Sequence, residues 1–525
     1  MGDMSAPSSA LALAPPTPIQ SLIEQGQARL GERDVDVKAL KPFYAPRGYQ
    51  AAWSDAHGGY DLERFTSDIR AVADEHGLNT HDYELAGGLD GAQTDLCISD
   101  ALVRLGRDLA TGRIAPYRIL GGMGQGVRPR FDPTAFLRQV QSGTSLHDLA
   151  AQTAPRDADY LGLQQALKTY RGYTAAGGWE TIPPGPTIKP GDSDPRVVLV
   201  RKRLAITGDL SADKVGDSPV LDADVVEGLK HFQLRHGLDT DGAVGKRTLY
   251  SLNVSAANRV RQIELAMERA RQTPRSLAST RVEVNIASQD LTLFQNNAPD
   301  LTMRVVVGDV KHQTPAMVTR VATLTVNPSW TVPASIARKE ILPKLKRDPN
   351  YLANNNIRLL DPQPGDTPDQ EMDGAAIDWK QMGSTFPFVL RQRPGPDNAL
   401  GQLKFNLQDQ DAIYMHDTPQ KTFFKRSYRA LSHGCIRLEH PMDLADRLLS
   451  PHWQGKLPEL LADTKTTTVG LAHSIPVYIY YRTAWAETDG TIAFREDIYG
   501  SDYRLDDALR HGIPLSALQL ENRSL

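Results

Sequence analysis

The spacing of apolar residues divides the chain into a helical first part and a β-rich second part. In "DALVRLGRDLATGRI", Leu102, Leu105 and Leu109 recur at intervals of three and four, which predicts an amphipathic helix ending near Gly112. Beyond residue 280, "RVEVNIASQDLTLFQ" alternates, and "TMRVVVGDV", "RVATLTVNPSW" and "VYIYYRTAW" are rich in β-branched and aromatic residues. The pattern therefore predicts a multidomain α+β protein.

Shifts in this pattern indicate the domain boundaries. We expect a flexible segment at 1–35 that becomes helical toward its end, followed by a helical domain at 36–180. The Gly- and Pro-rich stretch "GGWETIPPGPTIKPGDSDP" is predicted to be a linker. A mainly β domain is predicted at 280–500, and a C-terminal tail at 501–525.

A compact unit is predicted at 190–253. Both "PRVVLVRKRLAITG" and "VVEGLKHFQLRHGL" carry apolar residues on one helical face, and "DTDGAVGKRTLYSL" adds an Asp-Gly turn and a short third helix. This unit resembles the peptidoglycan-binding module of bacterial cell-wall enzymes, through Phe232, Gln233, Gly237, Leu238, Asp241, Gly242, Gly245 and Thr248. The alternative is a helical spacer that serves only as a structural support.

Composition narrows the class of protein. A chain of 525 residues is too long for one hydrophobic core, and its formal net charge of -4 offers no basic surface for nucleic acid. Two cysteines exclude a disulfide scaffold and a Cys-rich metal site. No apolar run reaches the ~18 residues of a membrane span.

The first residues, "MGDMSAPSSALALAPPTP", lack the features of an export signal. Lys and Arg are absent before Arg29, and there is no sustained apolar stretch. Two interpretations remain open: the start of a mature exported protein whose signal has been replaced, or the disordered tail of a cytoplasmic protein.

One of the two cysteines lies in an unusual polar setting, "LSHGCIRLEH". Cys435 follows Ser432, His433 and Gly434, and residues two apart in an extended segment face the same side. The His433 imidazole could therefore approach the thiol and lower its pKa, which would make thiolate available at neutral pH. Gly434 would let a substrate carbonyl approach backbone N–H groups, as an oxyanion hole requires. The other cysteine, Cys97, is interpreted as a small buried apolar residue.

Other thiol chemistries fit the sequence less well. A phosphatase loop would need Arg where Pro441 stands, a thioredoxin-type site would need a second nearby cysteine, and the papain order would place its histidine downstream. A zinc peptidase stays open, although no H-E-x-x-H motif supports it; its ligands would be His416, Asp417, His433 and Cys435.

A second histidine makes the pattern more specific. His416 ends a predicted strand in "AIYMHDTP", and fifteen residues separate it from Ser432. The pattern His-x15-Ser-His-Gly-Cys resembles the signature of the L,D-transpeptidase catalytic domain. The likeness to the long, periplasmic branch of that family continues through "TPAMVTRVATLTVNPSWTVPASIARKEILPKLKRDPNYL" and "RQRPGPDNALGQLKFNL". The helical domain resembles the scaffold domain of that branch through "PFYAPRGYQAAW" and "DYLGLQQALKTYRGYTAAGGW".

The resemblance implies a two-step acyl transfer without a cofactor or metal. Cys435 would attack the carbonyl of the third residue of a peptidoglycan stem tetrapeptide, usually diaminopimelate, and release terminal D-Ala. The thioester would then pass to the side-chain amine of an acceptor stem. Hydrolysis instead would make the protein an L,D-carboxypeptidase, and a catalytically idle wall-binding scaffold is the alternative of another class.

The same resemblance implies the setting of the protein. Its partners would be peptidoglycan stem peptides and glycan, together with wall-synthesis proteins, and not nucleic acid. Peptidoglycan lies outside the cytoplasmic membrane, so the protein is expected in the periplasm and would need an export signal.

Roles of the site residues follow by position. His433 is expected to be the general base, and Ser432 to orient its imidazole through the carbonyl or hydroxyl. The residues expected to contact substrate are His416, Tyr414, Arg437 and Trp330. Arg437 would hold a substrate carboxylate, while Trp330 and Tyr414 are open to either pocket lining or core packing.

The stretch 334–403 is too long for a simple strand connection, since most connections run about 4–6 residues. It begins with the helical "IARKEILPKL", passes through the acidic "DPQPGDTPDQEMDG", whose composition is typical of a mobile surface loop, and returns with "FPFVLRQRPGPDNALG". The resembling enzymes carry a capping subdomain here, and long insertions beside active sites are often lids. We therefore expect it to cover the Cys435 pocket; a surface insertion without that role is the alternative.

Overall fold

The computed structural model describes residues 16–117, 121–124, 129–362, 370–383, 385–408 and 413–512. Within them, none of the helices combines the length and apolar character that a membrane span requires. A helical N-terminal part, a small helical module and a mainly β domain follow one another along the chain, as the sequence predicts.

The N-terminal part is a helical domain with one apolar core. Its helices are α1 (Pro18–Gln25), α2 (Lys41–Tyr44), α3 (Leu62–Glu75), α4 (Gly91–Thr111), α5 (Pro133–Gln141), α6 (Leu146–Thr153) and α7 (Ala158–Ala175). The predicted stripe of Leu102, Leu105 and Leu109 lies on α4 and is fully buried. The Asp90 carboxylate caps the N-terminus of this helix by accepting from the Gln93 N–H, and the helix ends at Gly112 with φ 73°.

The beginning of this domain differs from the expected flexible segment at 1–35. Residues 18–35 form α1 and a short hairpin of β1 (Ala28–Leu30) and β2 (Arg33–Val35). Ile19, Ile23 and Leu30 are buried in the helical core, so burial of apolar surface orders this stretch. Residues 1–15 lie outside the described ones.

The module contains the three expected helices, α8 (Arg196–Ile206), α9 (Ala223–Arg235) and α10 (Lys246–Asn253), around its own apolar core. A buried amide explains part of its sequence pattern. The Gln233 side chain donates to Asp241 Oδ1 at 2.8 Å and accepts from the Gly242 N–H at 2.9 Å. Gly242 has φ 69°, which favours glycine at this turn.

A joint connects the three parts. Helix α11 (Ala256–Gln272) follows the module and packs along α7, and the hairpin of β16 (Ala484–Ala486) and β17 (Ile492–Phe494) returns from the β domain to the same place. The fully buried Phe494 ring lies 5.4 Å from the Tyr170 ring of α7 and 5.6 Å from the His236 ring beside α9. The module is therefore braced against both neighbours.

The β domain is built on a nine-stranded mixed sheet in the order β13-β5-β14-β12-β11-β6-β15-β3-β4. An additional β4–β5 pairing curls the sheet into a barrel-like form. Helices α15 (Pro441–Leu448) and α16 (Leu457–Ala462) precede the longest strand. The strands are β3 (Arg281–Asn285), β4 (Asp290–Gln295), β5 (Ala298–Gly308), β6 (Met317–Val326), β11 (Leu403–Leu407), β12 (Met415–His416), β13 (Ala430–Ser432), β14 (Ile436–Leu438) and β15 (Thr467–Tyr480).

The insertion at 334–403 folds into a separate small unit, which we call the cap. Its sheet has the order β7-β10-β8-β9, formed by β7 (Trp330–Thr331), β8 (Ile357–Asp361), β9 (Gln370–Met372) and β10 (Val389–Gln392). Its helical turns are α12 (Ala334–Ile336), a π-helical turn (Ala337–Ile341), α13 (Leu342–Leu345) and α14 (Tyr351–Asn354). Leu345, Trp379 and Leu390 belong to its own apolar core. Half of the predicted mobile loop, residues 363–369, lies outside the described residues.

The C-terminal end also differs from the expected tail at 501–525. Residues 501–511 form helix α17 (Ser501–His511), whose Leu505 and Ala508 are buried against Leu265 of α11. Arg261 of α11 pairs with Asp506 in the same interface. Apolar residues at helical spacing on this segment explain the difference, since they gain burial by docking.

The joint should be a major source of stability. Phe494→Ala removes a fully buried ring from between three parts of the chain, and we expect it to lower the free energy of unfolding by about 3–5 kcal/mol. Chemical denaturation of the full chain measures the loss. Leu234→Ala, on the exposed side of α9, is the control and should change stability by less than about 0.5 kcal/mol. A loss below about 1 kcal/mol for Phe494→Ala would show that the joint is loosely packed.

Candidate active site

The pairing of β12 with β14 gathers the predicted site residues on one face of the sheet. These two strands are parallel, with Met415 opposite Ile436 and His416 opposite Arg437. Met415 and Ile436 are fully buried in the barrel core. Since side chains alternate along a strand, the opposite face receives the side chains of Tyr414, His416, Cys435 and Arg437.

The Cys435 thiol is partly buried and interacts with Tyr414. Both the backbone N–H and the hydroxyl of Tyr414 form hydrogen bonds with it. Burial raises the pKa of the thiol above its usual range, and the Tyr414 bonds and the charges of Lys404 and Arg437 offset this only in part. The expectation of a pKa lowered by His433 is therefore wrong, because loss of water around the sulfur is the largest effect.

His433 faces the cap. Its Nε2 lies 2.6 Å from the Glu340 carboxylate in the π-helical turn, and its ring centroid lies 4.5 Å from that of His312. Among the described residues, no hydrogen bond joins His433 to Cys435. Adjacency in sequence thus does not place this imidazole on the thiol.

His416 lies on the thiol's face of the sheet and is buried. Its Nδ1 lies 2.5 Å from the Asp417 carbonyl oxygen, so Nδ1 carries the proton and Nε2 the lone pair. Burial, with the nearby charges of Arg437 and Lys404, lowers the pKa of His416 to about 3. The imidazole is therefore neutral at physiological pH and can accept a proton at Nε2.

Ser432 shapes the loop that carries the thiol. Its hydroxyl donates to the Cys435 carbonyl oxygen at 2.6 Å and accepts from the Gly434 N–H at 3.2 Å. Its carbonyl oxygen accepts from the Asp309 N–H at 2.8 Å. The expected role of orienting the His433 imidazole is wrong, because both polar groups of Ser432 bond to backbone.

Gly434 stands at the turn of this loop. Its φ of 108° is a conformation that favours glycine, and the Thr314 hydroxyl donates to its carbonyl oxygen at 2.7 Å. The turn is thereby fixed next to the sulfur. The role of its N–H in an oxyanion hole stays a prediction.

Arg437 is held beside the thiol with donors to spare. One terminal nitrogen donates to Gln420 Oε1 at 3.0 Å, and the guanidinium lies 5.7 Å from the Phe423 ring. Its Nε is buried and has no hydrogen-bond partner in the described part of the chain. Such a cation suits a carboxylate ligand.

Two further side chains complete this face. Trp330 on β7, at the edge of the cap, forms a hydrogen bond with the Tyr414 hydroxyl. Lys404, opposite His416 on β11, places its ammonium 4.4 Å from the centre of the Tyr414 ring. Lys404 was not foreseen, although the alternation in "QLKFNL" would have placed it on the face away from the core.

The residues considered for zinc do not converge. His416 is directed at the Asp417 carbonyl oxygen, and His433 at Glu340. In the described ranges, no group of three or more His, Cys, Asp and Glu side chains is placed to hold a metal ion.

Three family models match parts of the chain. Residues 279–479 match the L,D-transpeptidase catalytic domain. Residues 38–167 match a scaffold domain, and residues 193–252 match a "Putative peptidoglycan binding domain". The matches therefore cover the β domain, the helical domain and the module.

A curated relative supports the same family. The Haemophilus influenzae protein named "Putative L,D-transpeptidase" is 40% identical over 225 residues. The match covers 42% of this chain and 45% of that protein. The chain thus matches less than half the length of this relative.

Two solved structures match parts of the chain at low scores. An L,D-transpeptidase from Mycobacterium smegmatis is 13% identical, with a TM-score of 0.18, covering 38% of this chain and 58% of that one. The L,D-transpeptidase from Xylanimonas cellulosilytica is 14% identical, with a TM-score of 0.19, covering 57% of this chain and 100% of that one.

The Tyr414 hydroxyl should favour the thiolate form of Cys435. Its hydrogen bond lowers the pKa of the thiol, so Tyr414→Phe removes this contribution and should move the pH midpoint of alkylation upward. The rate of iodoacetamide alkylation against pH, in a Cys97→Ala background, measures it. Tyr428→Phe is the control, since that tyrosine does not contact the thiol, and should leave the midpoint unchanged. A midpoint that stays or falls in Tyr414→Phe would contradict the assignment.

Proposed function

We propose that the chain cross-links peptidoglycan stem peptides through a thioester on Cys435, since residues 279–479 match the L,D-transpeptidase catalytic domain. Terminal D-Ala of the donor stem is released. The observation that supports this best is the grouping of Tyr414, His416, Cys435 and Arg437 on one face of β12 and β14. It places a nucleophile, a neutral base and a carboxylate-binding cation side by side.

We assign the general base to His416 and not to His433. Diagonal neighbours on adjacent strands are roughly 7–8 Å apart, within reach of an imidazole. His416 is held neutral by burial and has its Nε2 lone pair available. Enzymes commonly separate roles in this way, by placing two titratable groups in different environments.

The acylation step then proceeds on the thiol's face. The Cys435 proton passes to His416 Nε2, and the sulfur attacks the carbonyl carbon of the third stem residue. The C–N bond breaks, and the proton passes to the departing amine of D-Ala. Arg437 binds a donor carboxylate, while Tyr414 and Lys404 stabilise the thiolate.

The second step regenerates the thiol. An amine of the acceptor stem attacks the thioester carbonyl, the C–S bond breaks, and the electron pair returns to sulfur. With water in place of the amine, the same site would act as an L,D-carboxypeptidase. Both products require the same acyl-enzyme.

The remaining parts suit a wall substrate. The cap contacts the site through Trp330 and Glu340, which supports its proposed role as a lid over the stem peptide. The module matches a peptidoglycan binding domain, which supports peptidoglycan as its ligand. Because this substrate lies outside the cytoplasmic membrane, we place the protein in the periplasm, where carbapenems would acylate Cys435.

Purified disaccharide-tetrapeptides test the reaction, with products identified by mass spectrometry. The full chain should yield cross-linked dimers and free D-Ala. Cys435→Ala should abolish both products, and His416→Gln should lower turnover by about 10²–10⁴-fold, the usual contribution of a general base. Cys97→Ala is the matched thiol control and should retain full turnover, since Cys97 is buried in the helical domain. Product formation by Cys435→Ala would overturn the proposal, and tripeptide without dimers would favour hydrolysis.

A further inference from the structure

A cluster of four ionisable side chains lies next to the catalytic loop, outside the acylation machinery. His433 Nε2 lies 2.6 Å from Glu340 Oε1, the His433 and His312 rings are 4.5 Å apart, and His312 Nδ1 lies 3.0 Å from Asp309 Oδ1. We call Asp309, His312, Glu340 and His433 the outer cluster. Its side chains are 35–44% exposed, whereas His416 is 4% exposed. A ligand can therefore reach the outer cluster from solvent.

The catalytic loop and the cap both hold this cluster in place. The Asp309 carboxylate accepts from the N–H groups of Lys311 and His312 at 2.8 and 2.7 Å. The Asp309 N–H donates to the Ser432 carbonyl oxygen, which ties the segment to the thiol loop. Glu340 comes from the π-helical turn of the cap, a local irregularity that is common at functional sites.

The contact between Glu340 and His433 joins the cap to the catalytic loop. Glu340 Oε1 lies 2.6 Å from His433 Nε2, so a carboxylate stands directly beside the imidazole. Glu340 Oε2 has no hydrogen-bond partner among the described residues. The pair therefore offers an anionic oxygen next to an imidazole.

We propose that Glu340 and His433 form the site that binds and deprotonates the amine of the acceptor stem. This inference rests on the proposed function. A primary amine in neutral water is an ammonium, which an exposed carboxylate attracts but which cannot attack a carbonyl. It must lose a proton next to the thioester. The outer cluster lies against the thiol loop, since the Asp309 N–H donates to the Ser432 carbonyl oxygen and the Thr314 hydroxyl to the Gly434 carbonyl oxygen.

The proton balance follows. The acceptor ammonium binds Glu340 Oε2 and gives one proton to the His433 imidazole, from which it passes to solvent. The neutral amine attacks the thioester carbonyl, a C–N bond forms and the C–S bond breaks. The second proton leaves the nitrogen as the amide forms and returns to sulfur through His416. The two histidines thus serve the two substrates separately.

The binding step can be measured without turnover. The acceptor probe is a stem tripeptide containing diaminopimelate, titrated into the full chain carrying Cys435→Ala by isothermal calorimetry. Adding Glu340→Gln should raise Kd about tenfold. Acetylating the side-chain amine of the peptide should raise Kd about tenfold for Cys435→Ala, and by less than twofold once Glu340→Gln is present. This non-additivity is the mark of a direct contact between the amine and the carboxylate.

Lys339→Gln is the matched control, because it changes an exposed charge in the same π-helical turn and should leave Kd unchanged. Thermal unfolding of each variant verifies that the cap stays folded. The inference would be overturned if Glu340→Gln left Kd unchanged. It would also be overturned if acetylation raised Kd equally in Cys435→Ala with and without Glu340→Gln. Neither result would contradict the proposed function, which is tested by product formation alone.

Discussion

The short parallel pairing between β12 and β14 is the interaction on which the site depends. The Ile436 N–H donates to the Tyr414 carbonyl oxygen at 3.0 Å, and Met415 and Ile436 are locked into the barrel core. A slip of one residue would turn every side chain of a strand to the other face. The register therefore decides that Tyr414 and His416 lie on the same face of the sheet as Cys435, away from the barrel core. Neighbouring strands β11 and β5 hold the two strands from either side.

Burial at this face acts on each titratable group in a way that suits a separate task. It raises the pKa of the Cys435 thiol, so the sulfur keeps its proton until a base removes it. It lowers the pKa of His416, so this imidazole remains a neutral base. Arg437 and Lys404 supply positive charge that favours the thiolate once it forms. His433, partly exposed beside Glu340, stands in a different environment, as its proposed role toward the second substrate requires.

Features encoded locally in the sequence were predictable, and contacts made across the fold were not. The periodicity of α4, the three helices of the module and the strands of the β domain all follow from apolar spacing. The prediction of Cys435 as the nucleophile also came from the sequence, because a thiol beside His and Gly is unusual. That prediction assigned the wrong neighbour to His433, since Glu340 comes from a distant segment whose position only the folded cap defines.

The same distinction explains the two ends of the chain. Residues 18–35 and 501–511 are ordered by docking on other helices, through Ile23 on the helical core and Leu505 on α11. Each segment carries apolar residues at helical spacing, but over too few residues to predict that it would dock. Lys404 is the opposite case: it was not predicted, although the alternation around Phe405 alone would have placed it on the outer face.

The central claim is that Cys435 carries the donor as a thioester. Rapid acid quench of the full chain with a disaccharide-tetrapeptide donor, followed by intact-protein mass spectrometry and peptide mapping, tests it directly. The account predicts an adduct equal to the donor minus its terminal D-Ala, on the peptide that contains Cys435, which is lost in hydroxylamine as thioesters are. Release of D-Ala without any adduct under conditions that trap intermediates, or an adduct on another residue, would contradict it.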